Sequence, residues 1–150
     1  MWGLIPEDAE RIEQLEIELF PDNCFNAVTL KREILCGSGL SIYDADEETL
    51  LAYAMTRKSH PSSRMCDLIR IGVRPGHQGR GLGSRILEVI LHRAYQDSED
   101  VLLCVRKDNS AALRWYKRYQ FRIVGELDHS WVMIRSHIGV ERNDVPQVHL

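Results

Sequence analysis

The chain has 150 residues, 44% hydrophobic and 27% charged, with 19 basic against 22 acidic side chains and a formal net charge of -3. That is the length of one domain with an ordinary core, and the near-balanced charge gives no ground for nucleic acid or an anionic membrane as a partner. The longest apolar run, Leu50–Met55, is far short of the ~20 residues of a membrane span.

Residues 7–19 carry Ile12, Leu15, Ile17 and Leu19 among acids, which predicts an amphipathic helix behind Pro6. Phe20-Pro21-Asp22-Asn23 breaks it, and a second helix over 26–35 stops at Cys36-Gly37. The period then changes to that of strands: Gly39–Tyr43, an acidic turn at 44–47, Thr49–Arg57, a polar loop at 58–64, and Met65–Val73. After a glycine-rich turn, Leu82–Ala94 shows a helix face. Val101–Val105 is an unbroken apolar run, as in a strand covered on both faces. Asp108–Tyr119 predicts a helix capped by Asp108 or Asn109. Phe121–Glu126 and Ser130–Arg135 predict a hairpin, and 137–150 lacks an apolar period and reads as a mobile tail behind a domain of residues 1–136. The order ααβββαβαββ is that of an α+β domain with a mostly antiparallel sheet.

The cysteines Cys24, Cys36, Cys66 and Cys104 form no C-x-x-C pair. Acids at Glu7, Asp8 and Glu10 replace the basic and apolar regions of a secretory leader, so a cytoplasmic protein with reduced, mostly buried thiols is expected. No histidine spacing fits a metal site, and no metal is expected.

The segment Val73-Arg74-Pro75-Gly76-His77-Gln78-Gly79-Arg80-Gly81-Leu82-Gly83-Ser84 carries the chemistry. A strand ends, the backbone turns through glycines, and a helix begins. Backbone N–H groups at a helix start lack partners, the helix dipole adds partial positive charge, and glycine lets an anion approach. Arg74 and Arg80 can add charge. A Walker loop needs a Gly-Lys pair that is absent, and the dinucleotide fingerprint needs its last glycine elsewhere. A glycine turn without a ligand remains the alternative.

Gln78-Gly79-Arg80-Gly81-Leu82-Gly83 resembles the Q/R-x-x-G-x-G/A motif of the GCN5-related N-acetyltransferase (GNAT) superfamily. Downstream, Leu103 to Phe121, with Val105, Asn109, Ala112 and Tyr116, resembles the family's second motif. The branch typified by the ribosomal-protein alanine N-acetyltransferase is the most similar in look. The resemblance implies acetyl-CoA as cosubstrate, bound on a single-domain fold whose sheet splays between the family's fourth and fifth strands, here Met65–Val73 and Val101–Val105. It implies that the backbone of Ile71, Gly72 and Val73 receives the pantetheine arm. Gln78, Gly79, Arg80, Gly81, Leu82, Gly83 and Ser84 would hold the pyrophosphate. Asn109 would touch the pantetheine, or serve as a plain helix cap, or both.

Tyr116, seven residues after Asn109, matches the family's proton donor to the departing thiolate. Where the branch carries a glutamate base this chain has Cys104, which reads by default as core packing. Asp67, eleven residues before Gln78, stands where other branches of the superfamily carry a catalytic carboxylate, so the resemblance makes it the candidate base, against the alternative of an ordinary strand-edge aspartate. A lysine amine, with pKa ~10.4, costs ~4 kcal/mol to deprotonate near neutral pH, and an α-amine, with pKa ~7.7–8.0, under ~1. A weak base therefore suits a low-pKa amine. The hairpin Glu126-Leu127-Asp128-His129-Ser130 is too tight for the long peptide clamp of N-terminal acetyltransferases, and its acids can attract a small cationic amine instead.

The expectation is an N-acetyltransferase acting by direct attack on a protein α-amine or lysine. The alternatives are a small amine such as a polyamine or antibiotic as acceptor, or an acyl-CoA-binding module without catalysis. A monomer or homodimer is expected, with neither nucleic acid nor membrane as partner.

Overall fold

The computed structural model describes residues 1–58 and 60–138. In chain order the elements are β1 (Trp2–Gly3), a 3-10 turn (Pro6–Asp8), α1 (Ala9–Leu19), α2 (Ala27–Cys36), β2 (Ser38–Tyr43), β3 (Leu50–Arg57), β4 (Met65–Val73), α3 (Leu82–Gln96), β5 (Asp100–Arg106), α4 (Ser110–Arg118), β6 (Arg122–Leu127) and β7 (Ser130–Arg135). This is the expected α+β order with the short β1 added. The sheet order is β1-β2-β3-β4-β5-β7-β6. The β4·β5 ladder is parallel, whereas β1·β2, β2·β3, β5·β7 and β6·β7 are antiparallel. Two compact units divide the chain: Met1–Arg57 with Arg70–Val89, and Lys58–Ile69 with the chain from Ile90 on.

In the first unit, α1 buries Ala9, Ile12 and Leu15, but its next buried residue is Glu16, fully enclosed, while Ile17 is 56% exposed. Ile17 was expected on the apolar face. At about 100° per residue, positions 12, 15, 16 and 19 share a stripe and 17 points away from it. The Asn26 side chain accepts from the Thr29 N–H at 2.9 Å and caps α2. Every β3 residue from Leu50 to Thr56 is buried, as in a strand packed on both faces.

In the second unit the β4·β5 ladder comprises Met65↔Asp100, Cys66↔Val101 and Asp67↔Leu102. Both strands continue past that last pair. β5 pairs with β7 from Val101↔Arg135 to Arg106↔Ser130. The expectation that β5 is covered on both faces fails: Val101, Leu103 and Val105 are buried, but Leu102 is half-buried and Cys104 exposed. The cysteine expectation fails with it, since Cys24, Cys36 and Cys104 are exposed and only Cys66 is buried. An apolar run does not by itself reveal which of its side chains stay open to solvent. β6 is an edge strand exposed along its length.

His137, expected to open the tail, donates its backbone N–H to Asp100 Oδ1 at 2.9 Å, with its Nδ1 2.7 Å from the same oxygen. Residues 139–150 of that segment lie outside the described residues. No helix among the described residues is long and apolar enough to cross a membrane.

Candidate functional site

The first unit carries the glycine-rich turn. Gly76, Gly79 and Gly81 have φ of 83°, 75° and 79°. A β-carbon at any of them would meet no atom within 4 Å, so backbone conformation, not crowding, calls for glycine, and open space lies beside the chain. Gln78 Nε2 donates to the Val73 carbonyl at 3.2 Å and ties the turn to the end of β4. The Arg85 N–H donates to the Gly81 carbonyl at 2.9 Å, so α3 opens at Gly81 and its intrahelical bonds begin at Arg85. The N–H groups of Leu82 and Gly83 precede that first bond, on an exposed to half-buried turn. This is a backbone cradle with positive potential and room for an anion, and it fits the pyrophosphate of acetyl-CoA. Arg80 is exposed beside it. Arg74, expected to add charge, is committed elsewhere: its Nε donates to the Leu50 carbonyl at 2.7 Å, and its Nη1 lies 3.6 Å from Glu18.

Just before this turn, Ile71 and Val73 are half-buried and Gly72 is buried. A β-carbon on Gly72 would stand 2.7 Å from Leu19 Cδ1 and 2.8 Å from Tyr53 Cε1, so glycine here lets the strand press against α1 and β3. Tyr53 is fully buried and bonds its hydroxyl to Glu16. Burial, reinforced by the Glu16 charge, pushes that phenol far above its ordinary range. Gly72→Ala is expected to lower stability by about 1–3 kcal/mol through overpacking against a ring that cannot turn aside, as measured by urea denaturation.

Glu16 also accepts the Phe25 N–H at 2.9 Å and pairs with Arg70 Nε at 3.0 Å. Glu16, Tyr53 and Arg70 belong to no sequence motif. The available signal was Glu16 at the i+4 position from Ile12, on the buried stripe of α1.

The second unit carries the remaining candidates. Asp67 is half-buried on β4, in register with Leu102. Cys104 lies two residues beyond Leu102, hence on the same face. Partial burial and then the charge of Asp67 raise the Cys104 thiol above its ordinary value. It is therefore protonated at neutral pH and suits neither a base nor a nucleophile. Asn109 resolves the capping alternative: its side chain accepts from the Ala112 N–H at 3.1 Å, while Asp108 pairs with Arg106.

Tyr116 is buried on α4, with the Trp115 ring 4.9 Å and the Phe121 ring 5.5 Å from its own. Its hydroxyl has no hydrogen-bond partner among the described residues. Burial pushes its phenol well above the ordinary value, so it stays a proton donor at neutral pH. Lys107 bonds to Glu126, sits 4.5 Å from the Trp131 ring centre, and gives its N–H to the His129 carbonyl at 2.9 Å. The β5–α4 turn is thus tied to the hairpin, and Glu126, expected to attract a cationic acceptor, is already paired.

Among the described residues no group of three or more His, Cys, Asp or Glu is placed to hold a metal ion.

An N-alpha-acetyltransferase RimI of Mycobacterium tuberculosis is 33% identical over 125 residues, covering 82% of this chain and 78% of that protein. An uncharacterized protein of Mycobacterium leprae is 32% identical over 124 residues and 81% of this chain. A mycothiol acetyltransferase of Mycobacteroides abscessus is 39% identical over 82 residues and 54% of this chain. The chain spans only 34% and 28% of these two longer proteins. The solved ribosomal-protein-S18-alanine N-acetyltransferase from Escherichia coli shares the fold, with a TM-score of 0.78 at 18% identity over 95% of this chain and 96% of that one. The model of the acetyltransferase (GNAT) family matches residues 9–121, from the first turn of α1 through both quoted motifs, and the chain belongs to that family.

Proposed function

We propose that the chain is an acetyl-CoA-dependent N-acetyltransferase acting on a primary amine, with a protein N-terminal α-amine or lysine as leading acceptor. The observation that carries the reading is the glycine cradle at the start of α3, with three left-handed glycines and open space at each. The relative named N-alpha-acetyltransferase, most of whose length the chain covers, supports the protein α-amine.

In this mechanism the first unit holds the cosubstrate. Gly79, Arg80, Gly81, Leu82, Gly83 and Ser84 receive the pyrophosphate, and Gln78 keeps their turn on β4. The backbone of Ile71, Gly72 and Val73 takes the pantetheine arm as an added strand would. Asp67 takes the proton of the acceptor amine, whose nitrogen attacks the thioester carbonyl. The C–N bond forms, the C–S bond breaks, and Tyr116 gives its proton to the departing sulfur. Asn109 caps α4 and sets its first turn, two turns before Tyr116.

A small-amine acceptor is the second reading, favoured by the two-residue turn Asp128-His129 between Leu127 and Ser130, which leaves no long clamp over a peptide. The mycothiol acetyltransferase match is consistent with it. The deciding assay compares initial rates on peptides with a free N-terminus, peptides with an internal lysine and blocked N-terminus, and polyamines. The protein-acceptor reading expects one of the two peptide classes to lead the polyamines in kcat/KM by about tenfold or more, the first if the acceptor is the α-amine and the second if it is lysine. A polyamine lead of that size would establish the small-amine reading instead.

A further inference from the structure

The segment of β4 read as the receptor of the pantetheine arm lies beyond the last pair of the β4·β5 ladder, Asp67↔Leu102. A strand that leaves its ladder loses the hydrogen bonds that would hold that edge. On its other edge β4 keeps β3 as a bonded neighbour, and a polar cluster centred on the buried Glu16 adds a second hold. Arg70, one residue before Ile71, pairs with Glu16 at 3.0 Å and donates Nη2 to the Asn23 carbonyl at 2.7 Å. Its guanidinium lies 4.4 Å from the Phe20 ring centre and 4.2 Å from that of Phe25. Glu16 is 0% exposed and also holds the Tyr53 hydroxyl and the Phe25 N–H. Tyr53 in turn packs on Gly72, where even a β-carbon would be too close.

The helix α1, the segment 20–25 and the strand β3 thus converge on two β4 positions that bracket Ile71. An apolar cluster of equal volume would serve stability as well, because burying an ion pair costs desolvation that its attraction barely offsets. A planar guanidinium stacked between two rings and bonded at its edge fixes position and orientation.

We propose that Arg70 is a positioning residue: the Arg70–Glu16–Tyr53 cluster braces the free length of β4 so that the backbone of Ile71–Val73 is preset to receive the pantetheine arm. The inference rests on the acetyl-CoA reading above. It separates two parts of cosubstrate binding, the nucleotide at the glycine turn and the arm on the braced strand.

The test replaces both charges, Glu16→Gln with Arg70→Met, because Arg70→Met alone leaves a buried carboxylate unpaired and can unfold the chain. Titration calorimetry then measures acetyl-CoA directly and 3′-phosphoadenosine 5′-diphosphate, which lacks the arm, by displacement. The brace predicts that the double variant, folded by circular dichroism, loses about tenfold or more in acetyl-CoA affinity while the nucleotide stays within about twofold. Equal losses for both ligands, or no loss for either, would overturn it and leave the cluster purely structural. A wild type that binds the nucleotide and acetyl-CoA equally well would refute the arm's contact with β4. A wild type that binds neither would overturn the acetyl-CoA reading, and the brace with it.

Discussion

Replacing Tyr116 by Phe is expected to lower kcat by about 10²–10⁴ with little change in the acetyl-CoA dissociation constant, the loss typical of removing a general acid. The substitution is clean. The ring keeps its contacts with Trp115 and Phe121, and the hydroxyl it removes has no hydrogen-bond partner among the described residues. Folding stability should therefore stay within about 1 kcal/mol of wild type. The direction of the phenol's shift adds a pH signature. Because burial raises its pKa, the proton-donating form persists through neutral pH and past the ordinary tyrosine range near 10. Wild-type turnover should accordingly show no alkaline loss between pH 7 and about 10 from this group. A Tyr116→Phe enzyme with kcat within about threefold of wild type would remove the acid from the mechanism.

The second large effect is at Asp67. Asp67→Asn is expected to reduce kcat/KM by about 10²-fold or more at neutral pH, and the residual rate should climb with pH as solution deprotonates the acceptor. With a peptide α-amine that climb levels off above about pH 8, and with a lysine it continues toward about 10, so one profile reports both the base and the acceptor class. Cys104→Ala serves as the control. The Cys104 thiol is held in its neutral form by partial burial and by Asp67, so its loss should leave kcat/KM within about twofold. A greater loss at Cys104 than at Asp67 would reverse the assignment of the base.

Much of this arrangement was readable in the sequence because the relevant signals are local. The glycine turn is a run of neighbours, the Met65–Val73 strand alternates within itself, and Asn109 stands where a helix must be capped. What escaped depends on distant partners. β1 is two residues long and exists only because Trp2 and Gly3 meet Ser41 and Leu40. The exposure of Cys104 depends on which elements cover one face of β5. The burial of Glu16 depends on Tyr53 and Arg70, far along the chain, and without them an acid among acids on α1 reads as solvated. Arg74 looked like a spare cation beside the anion site until its bond to the Leu50 carbonyl was in view.

The central claim is that the turn before α3 holds the pyrophosphate of acetyl-CoA, and titration calorimetry on three proteins tests it most directly. Wild type is expected to bind acetyl-CoA in the micromolar range. Gly81→Ala should bind somewhat more weakly, because a β-carbon there meets no atom and costs only the left-handed backbone, about 1–2 kcal/mol. Gly81→Glu adds bulk and negative charge where the phosphates would lie and should abolish binding while the chain stays folded. Binding by Gly81→Glu equal to that of Gly81→Ala, or no binding by wild type, would contradict the account.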